Sequence, residues 1–199
     1  MPAHTISTEL FLPVETASAL NPLPRGAEIS IGDEFLRIEF IRPDVLRLAV
    51  SRSGAFDVNP TGAVVTDDFG PVSFTHADSP GAFILESDSL RAVIGRDPFT
   101  IGVYRTDGSP VMQSAPGGAY ARLNGMWSIS RRKSPRDLFL GFGEKTGPLN
   151  KNGRFLTFRN TDIMGVASME DALDPDFEPY YISIPFHYHV PAGSGTAAG

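Results

Sequence analysis

Two carboxylates, Glu144 and Asp162, flank most of a glycine-punctuated polar segment that begins Gly141-Phe-Gly-Glu-Lys-Thr-Gly-Pro-Leu-Asn-Lys-Asn-Gly153. Paired carboxyl groups on either side of a glycosidic bond hydrolyse sugars, and retention of configuration needs them roughly 5 to 5.5 Å apart. Glu144 lies between two glycine turns, where a glutamate fixes a loop by accepting backbone N–H bonds. Lys145, Lys151, Arg154 and Arg159 are alternative ion-pair partners for either acid. Asp162 follows Phe158-Arg159-Asn160-Thr161, where a strand pattern gives way to loop, a common place for binding residues.

Other groups with chemical potential are weaker. His187 and His189 share a strand face at i and i+2, a spacing able to share a metal. Two ligands rarely complete a site, and no Glu or further His follows His189, so no metal is expected. His76 and Glu86 have the residue types of an acid/base pair, but no spacing argument selects them. The acidic run from Glu170 to Glu178 lacks the central glycine and closing glutamate of a calcium loop and reads as a solvated loop. In Gly143-Glu-Lys-Thr146 the lysine does not directly follow the glycine, so a phosphate loop is excluded. Trp127 is either a sugar-stacking platform or a partly buried aromatic beside Met126 and Ile129.

The elements that must hold these residues read as strands. Residues 1–28 carry Pro2, Pro13, Pro22 and Pro24 and are expected as an extended leader, with one domain over 29–199. Phe35 to Ile41 and Val45 to Val50 flank Pro43-Asp44 as a hairpin. Val72–His76, Ala82–Glu86, Leu90–Ile94 and Phe99–Tyr104 follow as short runs, and Asp107-Gly108 is a tight hairpin turn. Met126–Arg131, Leu138–Phe142, Phe155–Phe158 and Tyr180–Val190 complete the set. Short strands at regular spacing, with 20 Gly and 17 Pro, predict an all-β sandwich or barrel. Tyr181–Val190 enters a turn at Pro191 with no strand following, so the domain is expected to lack its last strands.

The run Gly141 to Gly153, the turn Asn160-Thr-Asp162 and the strand Tyr181-Ile-Ser-Ile-Pro-Phe186 together resemble the α-glucosidases of glycoside hydrolase family thirty-one. The likeness covers about residues 138 to 191, while residues 34 to 137 agree only in strand pattern. It implies a galactose-mutarotase-like β-sandwich that packs on a catalytic (β/α)8 barrel. It further implies that Asp162 reaches the sugar pocket and accepts hydrogen bonds from hydroxyls of an α-linked carbohydrate. The family's nucleophile and acid/base belong to the barrel, whose motifs do not occur here, so no catalytic residue is carried over. The resemblance thus describes an accessory domain of a retaining α-glycosidase, inactive alone. A stand-alone carbohydrate-binding or mutarotase-like module is the alternative.

Composition narrows the partners. A net charge of −6 and a pI near 5.2 oppose nucleic-acid binding, and Arg131-Arg132-Lys133 reads as a solvated turn. No apolar stretch approaches the ~20 residues of a membrane-spanning helix. The absence of cysteine removes thiol catalysis and thiolate metal sites. Nothing near Met1 resembles a signal peptide, and the cytoplasm is the expected location. No cofactor is expected.

Overall fold

A computed structural model describes residues 8–56, 68–160 and 181–193. The chain divides into two compact units, Met1–Arg132 and Lys133–Gly199, where the sequence anticipates one domain. Among the described residues the regular structure is strand, apart from a 3-10 turn at Thr8–Leu10.

The first unit begins with β1 (Leu12–Pro13), β2 (Ala17–Leu23), β3 (Gly26–Ile31), β4 (Glu34–Arg42) and β5 (Val45–Ser51). It continues with β6 (Phe74–Asp78), β7 (Ala82–Ser87), β8 (Leu90–Arg96), β9 (Phe99–Arg105) and β10 (Pro110–Gln113). The short strands β11 (Ala121–Leu123) and β12 (Met126–Ser128) close it. The strands form antiparallel sheets ordered β2-β3-β4-β5, β10-β9-β8-β7-β6 and β1-β11-β12.

Alternation explains why these segments are strands. In β4, Glu34, Leu36, Ile38 and Phe40 face inward, and the residues between them are half-buried. Ile29 and Ile31 of β3, Phe83 and Leu85 of β7, Ala92 and Ile94 of β8 and Phe99 and Ile101 of β9 join them in one core cluster. The two large sheets therefore bury facing apolar sides against each other, as in a sandwich. The expected turns recur. Pro43-Asp44 joins β4 to β5, with Asp44 accepting from Arg42 at 3.1 Å. Gly108 at φ +83° follows Asp107, whose Oδ1 accepts from the Ser109 N–H at 2.8 Å.

Two expectations are corrected. The proposed leader contains β2 and the first half of β3, with Ala17 and Ala27 buried. Pro22 is tolerated there because β2 is a sheet edge, where a missing N–H costs no ladder bond. Phe155–Phe158 is not a strand. The Lys145 ammonium bonds the Thr157 carbonyl, and the Phe155 and Phe158 rings are exposed, so the alternation has no core to face.

A charged cluster ties the first unit across a long sequence interval. Glu34, only 1% exposed, accepts from Arg122 Nη1 at 2.5 Å and faces Arg52 Nε at 3.7 Å. Arg122 also bonds Asp33 at 2.7 Å, which holds the Asp33 carboxyl below the usual range. Arg52 reaches back to the Asn124 carbonyl at 3.1 Å. Removing one partner of a buried pair leaves an uncompensated charge. Glu34→Ala is therefore expected to destabilise the unit by about 2 to 4 kcal/mol in urea unfolding, and Glu34→Ala with Arg122→Met by less than the sum of the single changes.

Candidate functional site

The second unit is built on a two-stranded antiparallel sheet, β13 (Leu138–Gly143) and β14 (Ser183–Val190). Phe139 pairs with His189 and Gly141 with His187, then the register shifts before Gly143 pairs with Ser183. Three successive residues at this bulge have positive φ: Gly141 (+116°), Phe142 (+75°) and Gly143 (+75°). Only glycine fits at the flanking positions. A Cβ on Gly143 would lie 2.6 Å from the Ile182 carbonyl oxygen, and one on Gly141 2.9 Å from that of Phe186. Pro185 lies opposite the same irregularity, where its missing N–H is accommodated.

Glu144 leaves this bulge. Its N–H donates to the Ile182 carbonyl at 2.8 Å, and its carboxylate Oε2 lies 3.4 Å from the Ile182 N–H. The acid thus grips the backbone at the start of β14, the loop-fixing role expected of it. Lys145 bends the other way. Its Nζ donates to Ser183 Oγ at 3.0 Å and to the Thr157 carbonyl, and it sits 5.1 Å from the Phe158 ring centroid.

The loop from Gly147 to Gly153 returns along β13. Asn150 Oδ1 accepts from the Phe139 N–H at 2.9 Å and from the Asn152 N–H at 3.0 Å, while the Lys151 N–H donates to the Phe139 carbonyl at 2.9 Å. One amide side chain and one backbone group thereby stand in for a neighbouring strand. The buried Lys151 ammonium donates to the carbonyls of Lys145 and Thr146, so its desolvation is offset by bonds that close the turn. Asn152 Nδ2 donates to the carbonyls of Ser134 at 2.9 Å and Asp137 at 2.8 Å.

Asp137 is buried and accepts three hydrogen bonds. The Ser134 N–H reaches Oδ2 at 2.7 Å, the Ala192 N–H reaches Oδ1 at 2.8 Å, and His189 Nε2 lies 3.0 Å from Oδ2. These bonds, the Ser134 N–H foremost, lower its pKa from 3.8 to about 2. Sequence reading missed this aspartate. Its only signal is Ser134-Pro-Arg-Asp137, the pattern of a side chain bonding its own turn.

The two histidine rings are taken up by aromatic packing. His189 stacks on Phe139 with centroids 4.6 Å apart, His187 stacks on Phe142 at 4.6 Å, and no cluster of metal ligands occurs among the described residues. Nor are His76 and Glu86 brought together. His76 pairs with Leu85 and Glu86 with Thr75, so they project to opposite faces, and Glu86 faces Arg91 at 3.7 Å. Trp127, in the first unit, is exposed on β12. Asp162 and the acidic run Glu170–Glu178 lie outside the described residues. What leads to Asp162 is visible. Asn160 Oδ1 accepts from the Ser183 N–H at 2.7 Å, and the Arg159 carbonyl accepts from Ser183 Oγ at 3.4 Å.

Beside β13 a groove of about 260 Å³ is lined by Lys133, Phe139, Phe142, Lys151, Arg154 and Phe158 among others. Its cationic and aromatic lining contains no carboxylate. Among the described carboxylates of this unit, Glu144 bonds the Ile182 N–H and Asp137 bonds His189, so both are engaged in holding backbone and side chains in place.

These features define an all-β sandwich-type domain carrying a rigid polar loop. The family model of the glycosyl hydrolase 31 N-terminal galactose mutarotase-like domain matches residues 35–198, and the chain belongs to that family. Alpha-glucosidase 2 of Bacillus thermoamyloliquefaciens is 28% identical over 159 residues, covering 80% of this chain and 19% of that protein. The structure superposes on a family 31 dextranase of Flavobacterium johnsoniae, solved with isomaltotriose or glucose, with a TM-score of 0.74, 20% identity, and coverage of 89% of this chain and 21% of the other. The cycloalternan-forming enzyme of Listeria monocytogenes, solved with a pentasaccharide substrate, matches at TM-score 0.65 and 16% identity over 89% of this chain and 16% of its own. The chain spans about a fifth of the length of its first relatives.

The Asp137 network makes the second unit acid-sensitive. A carboxyl whose folded pKa lies below its unfolded value stabilises the fold above the unfolded value, and that contribution disappears as pH falls through the folded one. The unit is expected to lose about 1 to 2 kcal/mol between about pH 4 and pH 2. Denaturation of Asp137→Asn across that range should show a flatter profile and a lower stability at neutral pH.

Proposed function

We propose that this chain is the N-terminal accessory β-sandwich of an α-glucosidase-like retaining glycoside hydrolase. It packs on a catalytic (β/α)8 barrel and lends the loop through Asn160 to Asp162 to the sugar pocket. The observation that carries the reading is the pairing of that loop with the start of β14, through the Asn160–Ser183 bond at 2.7 Å, in a chain belonging to the family 31 N-terminal domain. On the other face of β14, alternate residues Ile182, Ile184, Phe186 and Tyr188 are each about half exposed. Such a row of large apolar side chains suits contact with another protein surface. In this arrangement the barrel's face and the loop that serves it spring from one strand.

The substrate class is an α-linked saccharide, in keeping with the dextranase and α-glucosidase relatives. Asp162 accepts hydrogen bonds from sugar hydroxyls, and bond cleavage belongs to barrel carboxylates. The working compartment is the cytoplasm.

Two outcomes follow. The purified chain is expected to show no turnover of α-glucosides and little affinity for maltose or xylose by calorimetry. Measurable turnover overturns the reading, and saturable sugar binding makes the chain a stand-alone module. In the enzyme that carries this chain, Asp162→Ala should lower kcat/KM by about 1 to 3 kcal/mol in transition-state free energy. An unchanged value removes Asp162 from the site.

A further inference from the structure

In the first unit the central strands of the sandwich bury their inward side chains and the edge strands leave theirs partly exposed. The inward side chains of β4 and β9, such as Ile38 and Ile101, are buried. Those of the adjacent edge strands, Leu48 and Val50 on β5 and Met112 on β10, remain partly exposed although they pack on the same core. These two edges face each other across an apolar cleft of about 260 Å³, with Tyr120, Trp127 and Ile129 forming much of the rest of its wall. Trp127 is 64% exposed and Ile129 50%.

The lining selects the kind of occupant. Small-molecule sites place several polar groups to fix a ligand's orientation. Here the polar groups are sparse. The Tyr120 hydroxyl is pushed up in pKa by burial and by the neighbouring Glu34 carboxylate, and the Trp127 indole lies at the exposed rim. A sugar would leave its hydroxyls unpaired in such a cleft. Among the described residues β5 has one strand neighbour, whereas the end of β10 already accepts from the Arg132 N–H at Gln113 and continues into a Ser114–Arg131 bridge, so the cleft offers the β5 edge together with an apolar slot. A segment with alternating apolar side chains meets both demands, its backbone on an edge and its side chains in the slot. A second copy of this chain fits poorly, since a concave cleft meeting itself about a two-fold axis has nothing to insert.

We infer that the cleft between β5 and β10 is an insertion site for a β-strand belonging to the remainder of the same glycoside hydrolase. This rests on the accessory-domain reading and extends it from the β14 face to a second surface. It accords with a chain that spans only 19% of the α-glucosidase it matches.

Trp127 is the only tryptophan in the chain, so incorporation of fluorotryptophan gives a single fluorine NMR resonance from the cleft's rim. The labelled chain is mixed with Alpha-glucosidase 2 lacking the segment that aligns with it. Co-elution, a shifted resonance and loss of most of the solvent isotope shift are expected. Ile129→Arg, at an exposed position that leaves folding intact, should weaken association by about tenfold or more. Co-elution with an unchanged resonance and full affinity for Ile129→Arg overturns the strand insertion and leaves the accessory-domain reading standing. Failure to co-elute overturns both. A resonance that shifts with the concentration of the chain alone assigns the cleft to a second copy and overturns the proposal.

Discussion

The second unit depends on how closely β13 and β14 approach at Gly141-Phe142-Gly143. Three residues in the left-handed region reverse the normal pleat, and the Ile182 and Phe186 carbonyl oxygens occupy the space a side chain would need. L-residues with a Cβ rarely hold such a conformation, which costs on the order of 1 kcal/mol or more at a non-glycine residue. Phe142 carries that cost between the glycines, and its ring is stacked on His187 at 4.6 Å. The stacking and the ladder on either side hold the bulge in place. The loop that follows leaves the sheet in one direction only, with Glu144 already fastened to Ile182.

Beyond the bulge, side chains do the work that a neighbouring strand does elsewhere. Asn150 and the Lys151 backbone satisfy both backbone groups of Phe139, and Asn152 and Asp137 close the turn at Ser134. An unmade bond of this kind, once buried, costs about 1 to 3 kcal/mol, so the network is specific as well as stabilising. Amide side chains match backbone geometry with one acceptor and two donors, whereas an apolar residue at 150 or 152 supplies neither set and a charged one supplies only one of them. The loop's polarity is therefore largely consumed internally. Glu144, Lys145 and Lys151 all bond backbone groups in the unit, so the residues with the most chemical promise in the loop are its scaffolding.

How much of this was legible in the sequence depends on the residue. Strands with strict alternation, β4 and β7 to β9, and the turns at Pro43-Asp44 and Asp107-Gly108 follow from period and turn chemistry. β2 was hidden because Pro22 and Pro24 argue against a strand, and only sheet order reveals that Pro22 lies on an edge. Phe155–Phe158 has the alternation of a strand, but no partner edge receives it among the described residues. In the site, the loop-fixing role of Glu144 was readable from its flanking glycines. The Asp137–His189 bond joins residues 52 apart, and nothing local in either sequence announces it. The family resemblance over residues 138 to 191 was readable from motif order, and the family model matching residues 35–198 extends it across β4 to β12.

The two sides of β14 carry the last step. His187 and His189 turn to one side, where Phe142 and Phe139 cover their rings, and the Asp137 carboxylate takes a proton position on His189. Aromatic and imidazole groups that otherwise suit sugar stacking or acid/base work are spent on internal packing. Ile182, Ile184, Phe186 and Tyr188 turn to the other side and keep about half their surface in water, despite a combined apolar area that favours burial. A self-sufficient binding domain gathers polar and aromatic groups around a concavity of its own. This strand instead packs its histidine side on Phe139 and Phe142 and keeps the row from Ile182 to Tyr188 about half exposed.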